Sequence, residues 1–190
     1  HKEALFERKK NSFLDYIAVA NHLIEQKYTY KGGICFLGGS AGGLTGTAVA
    51  NMAPELFFSM LLLVPFCDPL TTMLNEKLPL TPSEWELWGN PIKSKKYFES
   101  ILSYSPYNNL RRTSYPPMLV TTSLFDSRVL YSEPIKYVAK LRELKSDKNL
   151  QLLKCKMKAA SHGGPSGRDN SIKELAEEFS FILKTAGIKN

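Results

Sequence analysis

The stretch Ile34-Cys35-Phe36-Leu37-Gly38-Gly39-Ser40-Ala41-Gly42-Gly43-Leu44 decides the fold. Its first part, 34–37, is apolar without alternation and lies between Gly33 and Gly38, as expected for a strand buried on both faces. A helix follows at once, carrying Leu44, Ala48, Val49 and Met52 and ending before Pro54. Ser40 stands at the junction. A serine on a sharp strand-to-helix turn needs strained backbone, and small neighbours let strand and helix approach closely enough to push its hydroxyl out of the turn. Gly38, Gly39, Ala41, Gly42 and Gly43 supply those neighbours. The helix behind Ser40 points free N–H groups at any oxyanion formed there, and the Ala41 N–H is the expected donor. A dinucleotide-binding loop wants glycines at other offsets, and a P-loop wants a lysine that is absent here.

Working outward, the same alternation repeats. Ser12 with Asp15 resembles a capping box, and Phe13, Ile17, Ala20 and Ile24 follow at helical spacing to about Gln26. Strands are expected over 60–64, 118–122 and 150–157. Between the last two lies a helix with Pro134 in its first turn and Ile135, Val138, Leu141 and Leu144 inside it. The final helix has Ser171 and Glu174 as its box, Leu175, Phe179 and Ile182 on its buried side, and Gly187 at its C-terminal cap. Strands alternating with helices imply right-handed crossovers and a parallel sheet, hence an α/β fold in one unit, with no internal repeat or linker.

A serine hydroxyl needs a base, and the chain has three histidines. His1 is terminal, and His22 lies within the first helix beside Leu23 and Ile24. His162, in Ala159-Ala160-Ser161-His162-Gly163-Gly164, follows the fourth strand and is expected over the C-terminal edge of the sheet, where Ser40 also emerges. The acid that orients the imidazole should fall between serine and histidine in chain order. Asp126, after the third strand, and Asp68, after the second, both qualify; position one strand before the histidine favours Asp126.

Composition bounds the alternatives. The 190 residues are 43% hydrophobic, 11% aromatic and 23% charged, which suits a folded domain and excludes a disordered or disulfide-scaffold chain. The longest apolar run, Met60-Leu61-Leu62-Leu63-Val64, is far short of a membrane span. The net charge of +7 comes from scattered Lys and Arg rather than a stripe, so nucleic acid is not expected as a partner. Cys35, Cys67 and Cys155 are widely spaced, with no pair suited to a metal or redox site, and fit a reducing cytoplasm. No cofactor is implied. The chain opens on His1 with a charged run to Lys10, as a fragment or processed product would.

The elbow, together with Asn51-Met52-Ala53-Pro54-Glu55-Leu56-Phe57, Val64-Pro65-Phe66-Cys67-Asp68, Trp88-Gly89-Asn90-Pro91, Tyr104-Ser105-Pro106-Tyr107, the segment 122–129 and Ser161-His162-Gly163-Gly164, resembles the prolyl oligopeptidase family. The match runs from about Asn11 to the end, and it is closest to the members that cut short peptides after Arg or Lys. The resemblance implies a serine peptidase of the α/β-hydrolase fold with Ser40, Asp126 and His162 as its triad. It places Glu84 and Glu86, in Ser83-Glu84-Trp85-Glu86, at the pocket for the basic residue, where two carboxylates suit a guanidinium. Members also carry further sheet strands, a β-propeller and a tyrosine serving as second oxyanion donor upstream of such a segment. The chain is therefore expected to be the C-terminal part of a catalytic domain, with a partial parallel sheet and half an oxyanion hole. Its first strand would have an open edge that pairs with a second copy, and its peptidase activity would be weak or absent. Two other classes stay open: an esterase-type hydrolase with an apolar acyl pocket, and an inactive remnant. Gly39, where members often carry a larger residue, departs from the pattern.

Overall fold

The computed structural model describes residues 2–158, 161–164 and 167–188. His1, and Ala159 and Ala160 ahead of His162, lie outside the described residues. Four parallel strands, β1 (Ile34–Gly39), β2 (Phe57–Leu63), β3 (Met118–Ser123) and β4 (Gln151–Lys156), form one sheet in the order β1-β2-β3-β4. The helices are α1 (Lys10–Glu25), α2 (Ala41–Met52), α3 (Pro69–Met73), α4 (Thr81–Trp88), α5 (Lys95–Leu102), α6 (Ser132–Leu144) and α7 (Arg168–Thr185). All four expected strands and the four expected long helices are present. The 69–102 stretch adds α3, α4 and α5 between β2 and β3.

The strand order explains the layering. Each crossover steps one strand in the same direction, so crossovers of one hand put their helices on one face of the sheet. Leu44, Ala48 and Val49 of α2 and Tyr137, Val138 and Leu141 of α6 accordingly share one core with Phe36, Met60, Leu62, Met118 and Val120. Helix α1 joins it through Phe13 and Ala20. On the opposite face the buried cluster is small, consisting of Leu61, Leu119 and Phe181 of α7 with Ile182 beside them.

That asymmetry corrects two expectations. β1 is buried on one face only: Phe36 is 3% exposed, whereas Leu37, pointing the other way, is 62% exposed. Helix α7 turns Phe181 inward, leaving Leu175 and Phe179 about half exposed although their spacing reads as a core stripe. The capping boxes are also shifted. Both α1 and α7 begin earlier, so Ser12 and Ser171 lie inside their helices; Ser171 Oγ donates to Gly167 O, and Glu174 pairs with Lys156. The C-terminal cap is as expected, with Gly187 at φ +74° and Ile188 N donating to Leu183 O.

Candidate active site

Parallel strands bring their following loops to one edge, and that edge gathers the chemistry. Ser40 follows β1, Asp68 follows β2, Asp126 follows β3 and His162 follows β4. Ser40 has φ +53° and ψ −121°, outside the ordinary regions for a residue with a side chain and costing about 1–3 kcal/mol. The neighbouring backbone holds it there. Ser40 N donates to Leu63 O at 2.9 Å, and Ser40 O accepts from Phe66 N at 3.0 Å and Leu44 N at 3.2 Å. The glycines are required by close approach. A Cβ at Gly38 would lie 2.7 Å from Gly42 O, and one at Gly43 would lie 2.5 Å from Pro65 Cα. Gly39 is looser: its Cβ would stand 3.2 Å from Leu63 O, so a side chain needs only a small adjustment. Ala41 opens α2, where its N–H is among those a helix leaves without an intrahelical acceptor.

His162 and Asp126 meet directly. His162 Nδ1 and Asp126 Oδ2 are 2.8 Å apart, with the carboxylate fully buried and the imidazole 16% exposed. The other oxygen, Oδ1, accepts from Arg128 N at 2.8 Å and Val129 N at 3.0 Å, so the loop backbone aims the carboxylate at the ring. An Nδ1–H donated to Asp126 leaves Nε2 as the free base nitrogen. Among the described residues no hydrogen bond joins the Ser40 hydroxyl to the ring. Asp68 is engaged elsewhere: it accepts from Thr71 N at the start of α3 and pairs with Lys136 at 2.6 Å.

Beside Ser40 lies a cavity of about 170 Å³. Ser40 and Ala41 lie on its wall together with Phe66, Met73, Leu78, Leu80, Val129 and Leu130, and with Glu84, Trp88, Arg128 and Glu133. Glu84 accepts from Trp88 Nε1 at 2.5 Å, and Phe66 packs edge-on against Trp88. Glu86 is exposed and absent from the lining. The reason is helical geometry: residues two apart on α4 point about 200° apart, so one that faces the cavity sends the other to solvent.

Three features were not legible beforehand. Phe66 faces the cavity, Glu133 is a buried carboxylate on its wall, and Val64 has φ +43°, strained for a β-branched residue, at the turn that sets Pro65 against Gly43. Burial pushes the Glu133 carboxyl up to about 7. Glu133 stands in the first turn of a helix before Pro134, where an acidic residue reads as ordinary decoration of a helix start. Among the described residues no group of His, Cys, Asp and Glu is arranged to hold a metal.

A serine forced into a strained strand-to-helix turn, with an Asp–His pair on the same edge of a parallel sheet flanked by helices, defines an α/β hydrolase. The profile of the prolyl oligopeptidase family matches residues 1–189, and the chain belongs to that family. It is 48% identical over 189 residues to protease 2 of Moraxella lacunata, covering 100% of this chain and 27% of the relative. To dipeptidyl aminopeptidase BI of Pseudoxanthomonas mexicana it is 48% identical over 180 residues, covering 95% of the chain and 25% of the relative. Among solved structures, oligopeptidase B from Trypanosoma brucei with covalently bound antipain superposes with a TM-score of 0.94 at 42% identity, over 99% of this chain and 26% of that one. Oligopeptidase B from Leishmania major gives 0.93 at 43%, over 97% and 25%. The chain thus spans about a quarter of the length of these relatives.

Proposed function

We propose that the protein hydrolyses short peptides after Arg or Lys, with this chain as the C-terminal part of its catalytic domain. The observation that carries this reading is the 2.8 Å contact of His162 with a buried, backbone-held Asp126 on the edge where Ser40 emerges. The Ser40 hydroxyl attacks the scissile carbonyl while His162 Nε2 takes its proton, and Asp126 steadies the imidazolium. Negative charge on the carbonyl oxygen is met by the Ala41 N–H at the start of α2, and a second donor from elsewhere in the protein would complete the hole. His162 then protonates the departing amine, leaving an acyl-enzyme on Ser40 that water hydrolyses by the same steps in reverse order of groups.

The cavity next to Ser40 supports the choice of substrate. Its apolar wall suits the methylene stem of a long side chain, and Glu84 offers a carboxylate to the cation at its end. The kinship to oligopeptidase B, whose T. brucei structure holds antipain covalently, supports the same class. The three free cysteines fit a reducing compartment such as the cytoplasm, and among the described residues no helix is long and apolar enough to cross a membrane. The apolar lining also favours a second reading, hydrolysis of esters with an apolar acyl group.

Fluorophosphonate labelling of the intact protein tests the nucleophile. Ser40 is expected to carry the label and Ser40→Ala to abolish both labelling and turnover; labelling that survives the substitution refutes the assignment. An arginyl amide hydrolysed well ahead of nitrophenyl esters of apolar acids supports the peptidase, and the reverse order supports the esterase.

A further inference from the structure

We infer that Glu133 is the second carboxylate of the pocket for the basic residue, the role that the family resemblance assigns to Glu86. The inference rests on the proposed cleavage after Arg or Lys and names a further residue that sets that specificity. Glu84 and Glu133 come from different helices, α4 and α6, yet line the same cavity as Ser40. Glu86 does not line it.

Glu133 is 3% exposed, and its carboxylate is held by two donors: Asp68 N at 2.9 Å on Oε2 and the Thr72 hydroxyl at 2.5 Å on Oε1. Each oxygen keeps a second acceptor direction. The groups around it compensate its charge only in part, through the more distant Lys136. The Cys67 thiol and Asp68 face it from the loop after β2 and Thr72 from α3. Lys136 on its own helix is drawn off by Asp68 at 2.6 Å and lies over the Tyr107 ring. Glu84 and the exposed Arg128 line the same cavity. Among the described residues no Lys, Arg or His comes within ion-pair distance of Glu84 or Glu133.

A buried carboxylate with no cation at ion-pair distance on the wall of a cavity is costly to ionise, and burial accordingly raises its pKa to about 7. A guanidinium or ammonium entering along the apolar wall of Phe66, Met73 and Val129 supplies the missing charge where solvent screening is weak. A neutral side chain of the same shape gains no charge pairing from either carboxylate.

The test compares an arginyl peptide amide with its citrullinyl counterpart, equal in shape but uncharged, in the intact protein at pH 8. Glu133→Gln is expected to cut the arginyl-over-citrullinyl ratio of kcat/KM by about tenfold or more, and Glu84→Gln to do likewise, with citrullinyl turnover little changed. In the unsubstituted protein the ratio rises as pH rises through about 7, because a bound cation favours ionised Glu133; Glu133→Gln flattens that rise. Any ionisation in the shared catalytic machinery acts on both substrates and cancels in the ratio. Equal loss on both substrates, or an unchanged ratio in Glu133→Gln, overturns the inference by reducing Glu133 to a clamp on the Asp68 loop. A wild-type protein that does not prefer the arginyl substrate instead sinks the specificity proposed above. Should Glu133→Gln fail to fold, agmatine as a competitive inhibitor of a neutral ester substrate replaces it. Inhibition that strengthens from pH 6 to 8 supports the inference and pH-independent inhibition overturns it; no inhibition at all counts against a basic pocket of any composition.

Discussion

Two aspartates compete for the role beside the histidine in chain order, and their partners separate them. Asp126 touches the ring, whereas Asp68 caps α3 and holds Lys136. Asp126→Asn is therefore expected to lower kcat by about 10⁴, since the amide favours the wrong imidazole tautomer. Asp68→Asn should leave kcat within a few-fold while costing about 1 kcal/mol in urea unfolding, because Lys136 is 40% exposed and water replaces much of the pairing. Glu133 adds a pH signature to stability. The folded protein holds this proton to about pH 7, whereas the unfolded chain releases it near 4.5, the ordinary value for a glutamate. Between those values the folded state binds more protons, so stability from this group is present at low pH and is lost as pH rises through the window, by up to about 3 kcal/mol. Unfolding midpoints of Glu133→Gln measured from pH 4.5 to 8 should lack that decline.

The elbow is a packing problem between β1, α2 and the turn after β2. Gly42 and Gly43 are adjacent in sequence and both helical, yet their surroundings differ. A Cβ on Gly43 meets the Pro65 backbone at 2.5 Å, while one on Gly42 meets nothing within 4 Å. Gly43→Ala is thus expected to destabilise by about 1–3 kcal/mol through displacement of Pro65 and Phe66. Gly42→Ala should be neutral or stabilising by up to about 1 kcal/mol, as alanine is the better helix former. Denaturant titration checks both, and equal losses would contradict the packing described. The elbow was legible from residue types because strain and close approach at one turn are local demands. The direction of α7 was not, since two apolar stripes a few residues apart compete on that helix, and only its docking on Leu61 and Leu119 selects Phe181.

At the scale of the molecule the sheet is unevenly covered. One face carries α1, α2 and α6, while the other has α7 over a small cluster. Leu37, Leu152, Ile172, Leu175, Phe179 and Leu183 stay 41–62% exposed. An apolar surface of that extent next to a strand edge favours association. The 190-residue chain by itself is expected to scatter light as a dimer or larger species. Leu175→Lys with Phe179→Lys should shift it toward the 21.4 kDa monomer with its circular dichroism intact. A clean monomer without substitution would show that this surface does not drive association.

The sequence alone determined the alternation of strands and helices, the parallel sheet and the place of Ser40 at the strand-to-helix turn, and it favoured His162 among the histidines. All of these follow from hydrophobic period, turn chemistry and the rule that parallel strands end on one edge. It favoured Asp126 over Asp68 by position, and the family resemblance paired Glu84 with Glu86. Tertiary structure settled what those carboxylates touch: Asp126 meets the ring, Asp68 meets Lys136, and Glu133 rather than Glu86 shares a cavity with Glu84. The physical reason is that a motif reports the backbone demands of its own few residues. Which side chains from distant segments share a cavity depends on how each helix is rotated when it packs, and the spacing along one helix carries no record of that.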